Sequence, residues 1–140
     1  MDKEKKPVPE YRLRMKGDTS DELYVRILAH LTKNKLYRDP TYTTRQLAKD
    51  LNTNMRYISA AVGNNSGNNY SNLVNSFRLR DACHMLRSSR YARFTAEEIG
   101  LLSGFASRQA FYKAFSRVYD MTPRAYRLSK SQDEDAAEKD

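Results

Sequence analysis

Cysteine is nearly missing from this chain: Cys83 stands alone, with only His30 and His84 as histidines. That excludes a disulfide framework within the chain and any Cys-rich zinc site. No metal ion or other cofactor is expected. Tryptophan is absent, and no apolar run approaches the roughly 18 residues that a membrane span needs. The N-terminal stretch MDKEKKPVPEYRLRMK carries charge with no apolar segment behind it, unlike a secretory signal. A cytoplasmic protein without a membrane partner is expected. There is no Gly-rich phosphate loop. Cys83 and His84 are neighbours on a predicted helix and point about 100° apart, so they form no catalytic pair. Glu97 and Glu98 read as a first-turn charge pair rather than an acid/base dyad. No enzyme is expected.

What the chain does have is positive charge, unevenly placed. Its 140 residues carry a formal +8. Residues 131–140, SQDEDAAEKD, hold five acids and one lysine. Residues 20–130 hold eighteen bases against eight acids, and thirteen of those bases are arginine. Arginine suits bidentate contacts to phosphates and base edges, where lysine acts as a point charge. A basic body of this kind points to a polyanionic partner, most often nucleic acid. The acidic end is too polar to pack and is expected to be a disordered tail.

The local pattern is helical, with no credible β alternation. Residues 1–19, broken by Pro7, Pro9 and Gly17, read as a flexible arm. Thr19 or Ser20 can cap a helix that buries Leu23, Ile27 and Leu31 and stops before Asp39-Pro40. A short helix from Thr44 to Leu51, capped by Thr43 or Thr44, turns inward Leu47, Ala48 and Leu51. After the turn Asn52–Asn54, a second short helix spans about Met55 to Val62. GNNSGNN, from Gly63, reads as a loop. A long helix covers about Tyr70 to Ser88. Thr95 caps the next, with Ile99 and Leu102 inside and Gly104 ending it. Ser107 caps another that buries Phe111 and Phe115. Thr122-Pro123 then opens the last, cap followed by proline at the first helical position, with Tyr126 inside. Tyr57, Tyr119 and Tyr126 are expected in the core with polar tips.

Two of these helix pairs repeat each other. TTRQLAKDLNTNMRYISAAV, from Thr43, superposes on TAEEIGLLSGFASRQAFYKAF, from Thr95, with one residue inserted in the second turn. Leu47 and Ala48 fall on Ile99 and Gly100, Asn52 on Gly104, and Ile58 and Val62 on Phe111 and Phe115. Each copy has a small residue where its helices cross and, in the turn, a residue suited to positive φ. That is the pattern of a helix-turn-helix.

The chain resembles the AraC/XylS family of bacterial transcription regulators over roughly residues 20–128. The sharpest part is GFASRQAFYKAFSRVYDMTPRAYR, through Gly104-Phe105, Ser107, Phe111, Phe115, Tyr119, Thr122-Pro123 and Tyr126-Arg127. FRLRDACHMLRSS matches the linker helix through Arg78, Leu79, Ala82 and Leu86. The resemblance implies an all-α fold of about seven helices. Two helix-turn-helix subdomains, about 43–65 and 95–119, would be joined by a linker helix at about 70–89, and both second helices would enter successive major grooves of double-stranded DNA. Gly100 departs from the family's usual alanine, at about 1 kcal/mol in helix propensity. The first unit ends AAVGNN, without the phenylalanine and basic residues usual there. With nineteen residues ahead of the first helix, no sensor or dimerisation domain is expected, and the chain should act as a monomer.

Candidate DNA-reading residues follow from the outward face of each second helix. With Phe111 and Phe115 inward, Arg108, Gln109, Tyr112, Lys113 and Ser116 face out. Arginine can bridge guanine O6 and N7, and glutamine adenine N6 and N7. The resemblance assigns base contacts to Arg108, Gln109 and Lys113. In the first unit Asn54, Arg56, Ser59 and Ala60 are expected outward, with Arg56 and Ser59 as base contacts. Phosphate contacts are expected from Thr44, Arg45, Asn54, Ser107, Tyr112, Arg117 and Arg124, the helix N-termini offering free N–H groups. Arg78 and Arg80 on the linker helix are read either as phosphate contacts or as structural partners of Asp81 or nearby carboxylates, with the structural role favoured for Arg78. A different reading keeps the same fold but makes it a protein-interaction module, with RNA polymerase or another regulator as partner.

Overall fold

A computed structural model describes residues 17–138, with side chains from 19 to 130. Among the described residues there are seven α-helices and no strand: α1 (Gly17–Lys33), α2 (Thr44–Asp50), α3 (Met55–Ser66), α4 (Tyr70–Arg87), α5 (Ala96–Leu102), α6 (Arg108–Tyr119) and α7 (Pro123–Glu138). Short 3₁₀ turns lie at Leu36–Arg38 and Ser89–Tyr91. The all-α class expected from the sequence is the one found. The chain divides into two compact units. Among the described residues, the first holds 17–36 and Tyr42–Leu73; the second holds Tyr37–Thr41 and 74–138.

In the first unit α1 packs chiefly along α3. Leu23, Ile27 and Leu31 bury the stripe that their four-residue spacing predicts, and Leu47, Ala48, Leu51, Ile58, Ala61 and Val62 are buried in the same unit. Helix α1 begins at Gly17, ahead of the expected cap, and most of the expected arm lies outside the described residues. Ser20 is therefore not a cap but a buried polar residue inside the helix. Its hydroxyl accepts from Asn64 Nδ2 at 3.2 Å, and Asn65 Nδ2 lies 3.5 Å from it. Those asparagines belong to α3, which runs to Ser66 where the sequence suggested a loop from Gly63. Tertiary partners explain the extension: Asn65 also donates to the Ala61 carbonyl at 2.8 Å, and Gly67, at φ 72°, closes the helix. The turn of the first helix pair is held by α1. Arg26 donates to the Leu51 carbonyl at 2.8 Å, satisfying the C-terminal end of α2. Asp50 accepts from the Tyr42 hydroxyl at 2.6 Å and lies 3.3 Å from His30 Nε2. The Tyr42 hydrogen bond, and then His30, hold the Asp50 carboxyl below its usual range.

The second unit has a core of Leu79, Ala82, Met85 and Leu86 from α4, Ile99 from α5, Phe105, and Phe111 and Phe115 from α6. Tyr119 and Tyr126 pack against Phe115, with ring centroids at 4.7 and 5.4 Å. Burial and a hydrogen bond with Cys83 push the Tyr119 phenol up to about 12. The Leu36–Arg38 turn brings Tyr37 to this core. Asp81 accepts from the Tyr37 hydroxyl at 2.6 Å and from Arg38 Nε at 2.7 Å. Arg78 is structural, as expected, but by another route: its Nε donates to the Tyr37 carbonyl at 2.6 Å, and its guanidinium sits over Phe105. Arg80 lies over the Phe77 ring rather than on a carboxylate. Asp81 is taken by residues some forty positions away in sequence, which local spacing could not reveal. Three further expectations change. Leu102, expected inside, is exposed together with Leu101. Tyr57, expected in the core, lies at the surface. Helix α7 continues to Glu138, so its backbone enters the segment expected to be a disordered tail. No glycine or proline follows Pro123 to stop it. The tail's side chains and its last two residues lie outside the described residues.

Candidate nucleic-acid interface

The two repeats fold alike, down to individual hydrogen bonds. In the first, Leu51 N–H donates to Leu47 O, Asn52 N–H to Lys49 O and Thr53 N–H to Ala48 O. In the second, Ser103, Gly104 and Phe105 make the equivalent bonds to Ile99, Leu101 and Gly100. The turn residue has positive φ in both, 55° at Asn52 and 114° at Gly104. Asparagine tolerates the first, and only glycine suits the second. The spacing had aligned these two positions. Both second helices are capped by a side chain: Asn54 Oδ1 accepts from Tyr57 N–H at 3.0 Å, and Ser107 Oγ from Ala110 N–H at 3.1 Å. The first helices are capped by Thr43 and by Thr95, the latter in a reciprocal capping box with Glu98.

On α6 the two faces separate cleanly. Phe111 and Phe115 are fully buried, while Arg108, Gln109, Lys113 and Arg117 are exposed. Tyr112, expected outward, is half-buried against the core. Its hydroxyl donates to Glu97 Oε1 at 2.7 Å. Arg124 Nη2 donates to the same oxygen at 2.9 Å, and Arg108 Nε lies 3.9 Å from it. The Arg108 guanidinium also rests over the Tyr112 ring, 5.2 Å from its centroid. The Tyr112 hydrogen bond, and then the backbone at the start of α5 and the Arg124 charge, hold the Glu97 carboxyl below its usual range. Burial, and then Glu97, push the Tyr112 phenol up. Three residues expected from the sequence as DNA contacts thus converge on one carboxylate expected only as first-turn charge. The repeat itself carried a signal: Glu97 stands at the position of Arg45, an acid where the first copy has a base.

On the first unit Arg45, Arg56 and Ser59 are exposed. Arg45, Lys49, Asn52, Asn54 and Arg56 line one open cleft at the turn. Asn54 is exposed, with its Oδ1 engaged as the cap. Thr44 is half-buried at the first position of α2. Ala60, expected outward, is fully buried, because α3 packs along α1 as well as α2 and so buries a wider arc. The outward face of α3 is correspondingly narrower than that of α6, and Met55 occupies the position of Arg108.

No curated protein sequence matches the chain. Solved structures with the same fold include the C-terminal domain of AraT, a response regulator from Geobacillus stearothermophilus (21% identity, TM-score 0.68, covering 83% of this chain and 88% of that one). Another is the C-terminal domain of the two-component response regulator yesN from Fusobacterium nucleatum (24%, TM-score 0.62, covering 76% and 95%). A protein of unknown function from Listeria innocua is also similar (20%, TM-score 0.63, covering 74% and 93%). Among the described residues no helix is long and apolar enough to cross a membrane. The family model described as a helix-turn-helix domain matches residues 47–129, and the chain belongs to the AraC-type helix-turn-helix family of DNA-binding transcription regulators.

Proposed function

We propose that the chain binds one asymmetric duplex site as a monomer, with α3 and α6 in successive major grooves, and that α6 carries most of the sequence reading. The observation that supports this is the face of α6. Arg108, Gln109 and Lys113 point away from the fully buried Phe111 and Phe115, and this is the chemistry that bridges guanine and adenine edges. Arg56 and Ser59 supply the lesser reading from α3. Arg45, Arg117 and Arg124, with the capped helix starts at Thr44, Asn54, Ser107 and the neighbouring Tyr112, meet phosphates. These contacts set register rather than sequence. Selection of random oligonucleotides by the purified chain tests the proposal. A site of about two helical turns without dyad symmetry is expected. A palindromic site, or a dimer in light scattering, overturns it.

One observation favours a second reading. Phe94, Leu101 and Leu102 form an exposed apolar patch beside Glu98, where the first unit carries polar Lys49 and Asp50 in place of the two leucines. RNA polymerase or another regulator is the proposed partner for that face. Replacing both leucines by lysine should then abolish transcriptional output while leaving DNA affinity unchanged.

A further inference from the structure

We infer that Glu97 is a specificity-determining residue that turns Arg108 from a phosphate binder into a reader of base edges. The inference rests on the proposal that α6 reads DNA. Its ground is the convergence of Tyr112, Arg124 and Arg108 on one carboxylate oxygen, at 2.7, 2.9 and 3.9 Å. Glu97 does not read DNA itself. It acts on the groups that do.

The geometry assigns a role to each contact. The carboxylate meets Arg108 at its Nε edge. The two terminal nitrogens stay available, and they are the pair that bridges guanine O6 and N7 end-on. The Tyr112 ring lies under the guanidinium, and its hydroxyl is tied to the same carboxylate. The ring on which Arg108 rests is therefore tied to the same carboxylate that faces its Nε at 3.9 Å. Arg108 is largely exposed, and its contacts are the Glu97 carboxylate and the Tyr112 ring.

The charge then discriminates between ligands. A phosphate approaching Arg108 or Arg124 meets the Glu97 carboxylate and is repelled as a like charge. A guanine edge offers neutral acceptors and escapes most of that repulsion. Glu97 thus weakens binding to arbitrary DNA more than binding to a site with guanine under Arg108. The first repeat has Arg45 at the equivalent position and carries no such brake.

The full-length chain, Glu97→Gln and Glu97→Asp are compared on the selected duplex and on a random duplex, by fluorescence anisotropy across a salt series. Glutamine keeps an acceptor for Tyr112 and removes the charge. Glu97→Gln should bind random DNA about three- to tenfold more tightly. Its logarithmic salt slope should steepen by about one, as Arg108 becomes free to take a phosphate. The selected-to-random affinity ratio should fall, while the circular dichroism spectrum stays that of the parent and the melting midpoint drops only by the small amount that loss of the Glu97 charge entails. Glu97→Asp keeps the charge but withdraws it from Arg108, so the ratio should fall with a smaller change in slope. In an Arg108→Ala background the effect of Glu97→Gln on the ratio should vanish. Unchanged ratio and slope in both variants, or equal weakening on both duplexes, would leave Glu97 a structural residue and overturn the inference. If the parent chain itself fails to prefer a selected duplex over a random one, the DNA-reading proposal for α6 falls, and this inference with it.

Discussion

Gly100 is where helix propensity and packing give opposite answers. Propensity alone favours Gly100→Ala by about 1 kcal/mol, and the family usually has alanine there. In the structure a Cβ at Gly100 would lie 2.5 Å from Phe111 Cγ and 3.0 Å from Phe111 Cβ, with Cδ2 closer still. Carbon contacts relax near 3.5–4.0 Å, so Phe111 would have to retreat by about an ångström. It has little room to do so. Phe111 is fully buried, with Phe105 and Phe115 at ring-centroid distances of 5.1 and 5.8 Å. Overpacking of this kind costs about 1–3 kcal/mol, occasionally more. Because the contact involves the ring root and not a mobile chain end, the upper part of that range applies. After the propensity gain, a net loss of about 1–2 kcal/mol is expected. The first repeat solves the same crossing with Ala48 and Ile58, which occupy the equivalent positions and are both buried. Phe111→Ile should therefore relieve Gly100→Ala. Urea unfolding followed by circular dichroism gives the four corners of the cycle. The double variant should be more stable than the sum of the singles by about 1 kcal/mol or more. A more stable Gly100→Ala, or additive losses, would refute the packing argument.

Other expectations follow from single contacts. Gly104→Ala should cost about 3 kcal/mol or more, because φ is 114° and an added Cβ meets the Tyr37 carbonyl and Arg38 Cα; near-parental unfolding would contradict this. The Glu97, Asp50 and Asp39 carboxyls are held low, mainly by hydrogen bonds from Tyr112, Tyr42 and Thr41. Their contribution is complete above the ordinary carboxylate range and is lost as pH falls through the depressed values, so the urea midpoint should drop below about pH 4; a flat midpoint would count against these contacts. Arg108→Ala or Gln109→Ala should cost about 1–3 kcal/mol on the selected duplex and relax one or two base pairs, and Arg56→Ala less. Equal losses from both helices in a binding titration would show that the units share the reading evenly. Deleting residues 131–140, with five acids and one lysine, should tighten binding to random DNA more than to the selected site at low salt, by removing a tethered polyanion. An unchanged random-duplex affinity leaves the tail no such role.

Much was legible from the sequence because it is governed by local rules. Caps at Thr43, Thr95 and Ser107 act within three residues, so residue type and spacing suffice. The positive φ at Asn52 and Gly104 follows from the same rules, as does the four-residue stripe of Leu23, Ile27 and Leu31. The internal repeat fixed their equivalence. What spacing could not supply were partners distant along the chain. Helix α3 runs on to Ser66 with its asparagines reaching Ser20, some forty-five positions earlier. Ala60 is buried because α1 covers an arc of α3 that a two-helix motif leaves open. Arg124 meets Glu97 twenty-seven positions away, and Tyr112 meets it across fifteen. A helical pattern tells which residues share a face, since that depends on 3.6 residues per turn. Which residue from another element lies against that face depends on how the helices pack, and there the tertiary structure decided that Arg108, Tyr112 and Arg124 share one carboxylate.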